Sequence, residues 1–296
     1  MFLAIPELRY LRVKPIHIAF VLFFKFSGLT YDQISDGLWQ FHKIIAKRST
    51  LHDWVSSYGH DVAEMMIDVH IPLSGFIYLD EMCESIRIED EFENYVRTDF
   101  WWMWNAYDSV HDIWREAILT SSRGEEIAYE IIDKIVAAFK RDKRCQKLYL
   151  ITDGFTPYES AYNKHVQEGN LDPKQVILHS VPKQSNAVNY DGPIDPAIVN
   201  NIETFQTHVR ALTRRMRKLK VFLSSEAPQT WLNSAKVHYN CVETISIPGK
   251  SRVTRLQNIL PDFKQNRNRW LGFIIEVLKL RKHMRYVKTQ TRKQSN

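Results

Sequence analysis

The chain has 296 residues, of which 44% are hydrophobic and 12% aromatic, a composition that supports one large or two modest folded domains. Three scattered cysteines form no CxxC pair, which argues against a structural zinc site and favours a reducing compartment. The longest apolar run near the N-terminus, Ile16 to Phe26, is too short for a bilayer, which needs about 20 apolar residues. With no signal peptide visible, we expect a cytoplasmic protein without a membrane partner.

The positive charge is concentrated at the C-terminus. The whole chain carries a formal +6, whereas residues 250–296 contain 13 Lys and Arg against two acids, a net +11, so the remainder is acidic. This segment is either a solubilising tail or an arm that binds phosphates. Residues 270–280 within it (WLGFIIEVLKL) are typical of a helix that is buried or faces a partner.

Residues 15–70 predict three helices. Pro15 suits the first position of the first helix, and Thr30 with Gln33 forms a capping box for the second. Ser49 is predicted to cap the third. Two short helices, a turn and a third helix are typical of a helix-turn-helix unit, although the same pattern also fits a plain three-helix packing unit.

In the helix-turn-helix interpretation, the third helix enters the DNA major groove by its N-terminal residues. Lys47 and Arg48 then contact phosphates, and Thr50, His52 and Asp53 are placed to touch bases.

The next segment changes to strand patterns. Strands are predicted at 74–90 (with its first apolar run at 76–79), 100–108 and 113–119, followed by a helix at 124–140, a strand at 148–151, a helix at 157–168 and a strand at 176–178. The order β-β-β-α-β-α-β predicts a mixed five-stranded sheet flanked by helices. Residues 182–200, rich in Pro, Asn and Asp, predict a loop or lid, and a helix begins near 201.

Three carboxylates stand out in this order. Asp80 is predicted to end the first strand, Asp153 ends the fourth, which would pair beside the first, and Glu203 opens the helix after the fifth. Asp153-Gly154 alone would be read as a turn. Three convergent carboxylates suit two Mg²⁺ or Mn²⁺ ions, which promote chemistry at phosphodiesters. The neighbouring acids Glu81, Glu84 and Asp108 are predicted to be solvated.

Several segments, in order, resemble the DDE-type insertion-sequence transposases of the retroviral-integrase, RNase H-like superfamily. The matching segments are SGLTYDQISDGL, STLHDWV, YLDEM, WWMWNAYDSVHDIWREAILTSSRG, LITDG, NNIETFQTHVRALTRRMR and WLNSAKVHYNCV. The resemblance covers about residues 28–245. The 49 residues between Asp153 and Glu203 exceed what such families usually have, and the 182–200 loop can hold the excess.

This resemblance implies an RNase H-like sheet domain behind a helix-turn-helix head. It assigns Asp80, Asp153 and Glu203 as catalytic metal ligands for two Mg²⁺ or Mn²⁺ ions. It places Arg210 on DNA phosphate, with Arg214 and Arg217 further along the same cationic helix.

The implied activity is DNA transposition: cleavage at the element ends followed by 3′-OH strand transfer. Double-stranded DNA is the expected partner, in a homodimer or higher oligomer at the nucleoid of a prokaryote. The predicted domains are 1–70 (head), 71–245 (catalytic, with the 182–200 insertion) and 246–296 (basic helical tail). Two alternatives stay open: a metal-dependent nuclease without strand transfer, and a non-enzymatic or decayed DNA-binding protein of the same fold.

Overall fold

Five strands form one sheet, and helices cover both of its faces. The computed structural model describes residues 13–67, 69, 71–89, 96–181, 204–211, 226–243 and 270–281. The strands are β1 (Phe76–Glu89), β2 (Val96–Asp108), β3 (Ile113–Thr120), β4 (Leu148–Thr152) and β5 (Val176–Ser180). The helices are α1 (Pro15–Phe26), α2 (Tyr31–His42), α3 (Arg48–Ile67), α4 (Glu125–Arg141), α5 (Thr156–Gln167), α6 (204–211), α7 (Glu226–Val237) and α8 (270–281). A π-helical turn, His238–Val242, continues α7.

The strand order is β3-β2-β1-β4-β5. The first three strands form an antiparallel meander, and β4 runs parallel to both β1 and β5. Parallel neighbours need a crossover connection, which α4 and α5 supply. The predicted mixed five-stranded sheet, flanked by helices and preceded by an all-α head, is therefore confirmed and is consistent with an RNase H-like fold.

Alternation along the strands divides the core into two layers. Ile77 and Leu79 of β1 point to the layer beneath α4 and α5, whereas Tyr78 and Met82 point to the layer beneath the head, α6, α7 and α8. In α4, apolar positions recur at three- and four-residue steps, and the residues of this stripe from Ala128 to Phe139 that face the sheet are buried: Ala128, Ile131, Ile132, Ile135, Val136 and Phe139. In the part of the chain that the structure describes, no helix combines the length and hydropathy needed to cross a membrane.

The capping box at the start of α2 is confirmed. The Thr30 hydroxyl accepts from the Gln33 amide at 3.2 Å, and the Thr30 amide donates to Gln33 Oε1 at 2.9 Å. The prediction that Ser49 caps α3 is wrong, because the helix already includes Arg48. The Lys47 carbonyl accepts the first helical bond, from the Leu51 amide at 3.1 Å.

The head shares its core with the later helices. Phe26 stacks on Trp270 of α8 with ring centroids 5.7 Å apart. Gly59 of α3 packs against α7 so closely that a Cβ there would lie 2.8 Å from Ser234 Oγ. The predicted buried helix at 270–280 is confirmed, since Trp270 and Ile274 are fully buried. The domain boundaries at 70 and 245 remain a prediction.

The strand predicted at 74–90 is confirmed as β1, whereas the prediction that Asp80 ends a strand is wrong. Asp80 does not end the strand, because antiparallel pairing with β2 continues from Ile77 to Glu89. Only the parallel pairing with β4 stops near Asp80, after Tyr78. An Asp-Glu pair resembles a strand terminus when the sequence is read locally, but the partner strand β2 carries the ladder past it.

Asp108 is fully buried, so the prediction that it is solvated is wrong. Its Oδ2 accepts from the Ser74 amide at 3.0 Å and from Arg115 Nη2 at 2.7 Å, and its Oδ1 accepts from the His111 amide at 3.0 Å. Burial alone would raise the pKa of Asp108, but hydrogen bonds and charge from His111, Arg115 and Ser74 hold it well below its usual range. This ion pair anchors the turn between β2 and β3.

The edge strand β3 is capped by side chains from α7 and the π-helical turn. Asn240 accepts from the Trp114 amide at 2.9 Å and donates to the Trp114 carbonyl at 2.8 Å. Gln229 does the same for the Leu119 amide at 2.7 Å and the Ala117 carbonyl at 2.9 Å. Each side-chain amide thus replaces a strand neighbour and blocks edge-to-edge pairing here.

Candidate active site

The register between β1 and β4 brings two of the predicted acids together. Phe76, Ile77 and Tyr78 pair in parallel with Tyr149, Leu150 and Ile151. Asp80 and Asp153 each follow the last of these pairs by two residues, and Asp153 lies just beyond β4. Since neighbouring strands lie roughly 4.8 Å apart, both acids stand at the same end of the β1–β4 pairing.

The strand residues two positions before each acid point to the same layer of the core. On β1, Asp80 stands between Tyr78 and Met82, which point to the layer of the head and α6. On β4, Ile151 points to that same layer, and Asp153 follows it by two residues. Both acids are half-buried, which leaves them open to a ligand.

A tight turn holds Asp153 just beyond β4. Its Oδ1 accepts from the Phe155 amide at 3.1 Å, which leads the chain into α5. Gly154 between them has φ +88°, a left-handed conformation that favours glycine. A Cβ on Gly154 would also lie 2.8 Å from Ser180 Oγ at the end of β5. The turn that Asp153-Gly154 predicts is therefore present, and it serves to present the carboxylate.

Tyr158, in the first turn of α5, is fully buried in the layer beneath α4 and α5. Burial first, and then the charges of Glu81, Asp80 and Asp153, raise the pKa of Tyr158 well above its ordinary value. Besides the two predicted acids, a third acid therefore acts on this tyrosine.

That third acid is Glu81, and its predicted solvation is wrong. Its side chain is only 2% exposed, and its Oε1 accepts from Arg123 Nε at 3.1 Å and Nη2 at 2.5 Å. Burial raises the pKa of Glu81, Arg123 opposes the shift, and Asp153 adds to it. Successive residues of a strand point to opposite faces, so Glu81 points away from the face to which Asp80 points. The side chain of Glu84, also predicted to be solvated, lies outside the described residues.

Arg123 is the residue at this site to which sequence reasoning assigned no role. It lies in the segment between β3 and α4, 42 residues from Glu81. The sequence signal for Arg123 is the run Ser121-Ser122-Arg123 near the end of the segment WWMWNAYDSVHDIWREAILTSSRG, which resembles the transposase family. This run marks Arg123 without indicating its partner.

Glu203, the third predicted ligand, lies outside the described residues. The helix that follows it, α6, packs on the same sheet face as Asp80 and Asp153. Phe205 stacks on Tyr107 of β2 with ring centroids 4.2 Å apart, and Tyr107 is the cross-strand partner of Tyr78, two residues before Asp80.

Two further contacts fix α6. The hydroxyls of Tyr107 and Tyr239 both donate to Asp112 Oδ1, at 2.9 Å and 2.7 Å, around the ring of Phe205. His208 forms an ion pair with Glu243 at 2.9 Å.

The predicted DNA contacts are only partly described. In the head, Lys47, Arg48 and His52 are exposed around the start of α3, and Thr50 is half-buried. Arg210 is exposed on α6, whereas Arg214 and Arg217 lie outside the described residues. The described cations are thus accessible to a polyanion.

The donor chemistry of the Asp80–Asp153 pair fits a hard divalent cation, because carboxylate oxygens are the ligands that Mg²⁺ and Mn²⁺ prefer. Among the described residues, no group of three or more His, Cys, Asp or Glu side chains is arranged to hold a metal ion. A complete site of the predicted kind therefore requires a ligand from elsewhere in the chain, and Glu203 is the candidate.

Comparisons with known proteins give distant likenesses only. The chain matches no protein-family model and no curated protein. Among solved structures, the Mos1 strand transfer complex shares 10% identity at a TM-score of 0.36, over 90% of this chain and 78% of that one. The Mos1 transposase paired-end complex with the left transposon end shares 9% identity at a TM-score of 0.27, over 76% of this chain and 80% of that one. At such TM-scores neither likeness carries an argument about this chain.

Proposed function

We propose that the chain is a DNA transposase of the DDE type, with Asp80, Asp153 and Glu203 as its catalytic carboxylates. The observation that supports the proposal is the β1–β4 register, because Asp80 and Asp153 each follow its last pair, Tyr78 with Ile151, by two residues. The packing of α6 on the sheet supports Glu203 as the third member, because the helix follows it directly.

The three carboxylates would hold two Mg²⁺ or Mn²⁺ ions. Such ions activate an attacking oxygen and stabilise the leaving oxygen of a phosphodiester. The protein would contribute a fixed array of acids, which would keep the reacting phosphate in place. In the proposed reaction, water cleaves a strand at the element end, and the freed 3′-OH then attacks target DNA and displaces its 3′-oxygen.

The cationic residues would bind the DNA. Lys47, Arg48, Thr50 and His52 of the head would contact the element ends, in the manner of a helix-turn-helix. On α6 and beyond, Arg210, Arg214 and Arg217 would contact phosphates near the active site. Because two ends are joined in one event, at least two copies of the chain would act together.

The test uses DNA that carries the genomic sequences on both sides of the coding region, with Mg²⁺ or Mn²⁺. Cleavage and joining are measured for the wild type and for Asp80→Asn, Asp153→Asn and Glu203→Gln. Each variant is expected to lose at least about a hundredfold in rate, because the ions supply several kcal/mol of transition-state stabilisation. Binding of the DNA should persist in all three.

Two matched controls change the same chemical groups at exposed positions. Asp133→Asn on α4 and Glu64→Gln on α3 should leave cleavage and joining unchanged. Full activity in any of the three site variants would contradict the site. Cleavage without joining by the wild type would identify a nuclease, and binding without cleavage would identify a DNA-binding protein of the same fold.

A further inference from the structure

Arg123 is held in one position by three contacts from three different strands or turns. Its guanidinium donates to Glu81 of β1, and its Cζ lies 4.2 Å from the ring of Trp102 on β2. On the other side, Cζ lies 4.1 Å from the ring of Phe155, which follows β4. A long side chain that is clamped in this way has already lost most of its rotamer freedom, so a further ligand costs it little ordering entropy.

The clamp leaves one edge of the guanidinium open. Arg123 uses Nε and Nη2 for Glu81, and its side chain is 42% exposed. Within the described residues, no acceptor is recorded for Nη1. A guanidinium has five donors in a planar fork that matches the oxygens of a phosphate, so the open edge suits an anionic oxygen ligand.

Arg123 is anchored to the residues that adjoin the two candidate acids. Phe155, one of the two clamping rings, donates its amide to Asp153. Glu81, the anionic partner, follows Asp80 in β1 and points to the opposite face of the sheet. Since the charge of Asp153 contributes to the raised pKa of Glu81, the Glu81–Arg123 pair lies within electrostatic reach of Asp153.

We propose that Arg123 binds a DNA phosphate next to the carboxylate site, and that Glu81 is a positioning residue that orients the guanidinium for this contact. This inference rests on the proposed function. Glu81 does not touch the DNA in this scheme, since its carboxyl is buried beneath Arg123.

The first experiment measures DNA affinity at several salt concentrations, with the flanking-sequence DNA described above and without a divalent metal. Each phosphate contact adds about 0.9 to the slope of log affinity against log salt concentration. Arg123→Ala is expected to lower the slope by about 0.9 and to weaken binding about tenfold. Arg123→Lys keeps the charge without the fork and should fall between the wild type and the alanine variant.

Arg144→Ala is the matched control. Arg144 is also an exposed arginine beside a buried carboxylate, Asp142 at 3.6 Å, but it precedes β4 at the opposite end of the strand. Its removal should leave the salt slope unchanged. If Arg123→Ala and Arg123→Lys both retain the wild-type slope, the phosphate contact is refuted.

The second experiment tests the role of Glu81 with a double-mutant cycle. Glu81→Ala should weaken DNA binding, and the double variant with Arg123→Ala should bind no more weakly than Arg123→Ala alone, because both changes remove one contact. Fully additive effects would overturn the positioning role. Glu116→Ala, which removes the partner of Lys236 at 3.2 Å, is the control for loss of a surface ion pair.

The two proposals fail in different ways. If the wild type neither cleaves nor joins DNA, the proposed function fails, while a reduced slope in Arg123→Ala still supports the phosphate contact. If the wild type is active and Arg123→Ala keeps both its slope and its cleavage rate at saturating DNA, the phosphate contact fails and the proposed function stands.

Discussion

The ion pair between Asp108 and Arg115 predicts a large and pH-dependent loss of stability in Asp108→Asn. The variant keeps the shape of the side chain but removes the charge that faces Arg115 at 2.7 Å, in a side chain that is fully buried. The NH2 group of the asparagine would also face one of the three N–H donors that now bind Asp108, those of Ser74, His111 and Arg115. Breaking one side of a buried ion pair costs about 3–5 kcal/mol, a large part of the roughly 5–15 kcal/mol that a domain has.

The pH dependence follows from the depressed pKa of Asp108 in the folded state. A carboxyl whose folded pKa lies below its unfolded value of 3.8 contributes its full stabilisation above that value. The contribution is lost as the pH falls from there towards the folded pKa. The difference in stability between the wild type and Asp108→Asn should therefore be constant near neutral pH and shrink below about pH 4.

Urea denaturation at pH 7 and at several values below pH 5 measures this difference, with Asp133→Asn as the exposed control. The midpoint should shift strongly for Asp108→Asn and hardly at all for the control, with similar slopes for both. A loss below about 1 kcal/mol at pH 7, or a difference that does not shrink in acid, would refute the reasoning.

Two further predictions concern the site turn and the sheet edge. Gly154→Ala forces a side chain into φ +88° and against Ser180 Oγ, so it should cost about 1–2 kcal/mol, lower the Tm by a few degrees and slow DNA cleavage. Adding Ser180→Gly should recover part of the Tm loss, and an unchanged Tm in the single variant would contradict this account. Asn240→Ala leaves the buried amide and carbonyl of Trp114 unpaired and should cost about 2–4 kcal/mol by urea denaturation. The exposed Asn163→Ala on α5 should be nearly neutral, and equal losses in the two variants would argue against the edge cap.

Local patterns predicted much of the fold because local physics decides it. The capping box of Thr30 and Gln33 involves residues three positions apart, and the apolar stripe of α4 follows from helical periodicity. The order of strands and helices likewise predicted that β4 lies beside β1, since parallel strands need the crossover that α4 provides.

Errors occurred where the deciding partner belongs to another strand or to a connecting segment. Glu81 and Asp108 were expected to be solvated, as acids usually are, yet each is buried against an arginine. The partner of Glu81 is 42 residues away, and no periodicity or turn signal connects the two. Asp80 was expected to end its strand, whereas pairing with β2 carries the strand past it.

The sequence by itself determined the helices and strands, their order and the candidacy of Asp80 and Asp153, because spacing and residue type act over a few positions. Only the tertiary structure decided the register that brings these two acids to the same end of the β1–β4 pairing, and the burial of Glu81 beneath Arg123. A shift of one residue in the β1–β4 pairing would turn the side chains of the shifted strand to the opposite face of the sheet. The packing of both core layers excludes such a shift. The role of Arg123 likewise depends on a clamp built from three separate parts of the chain.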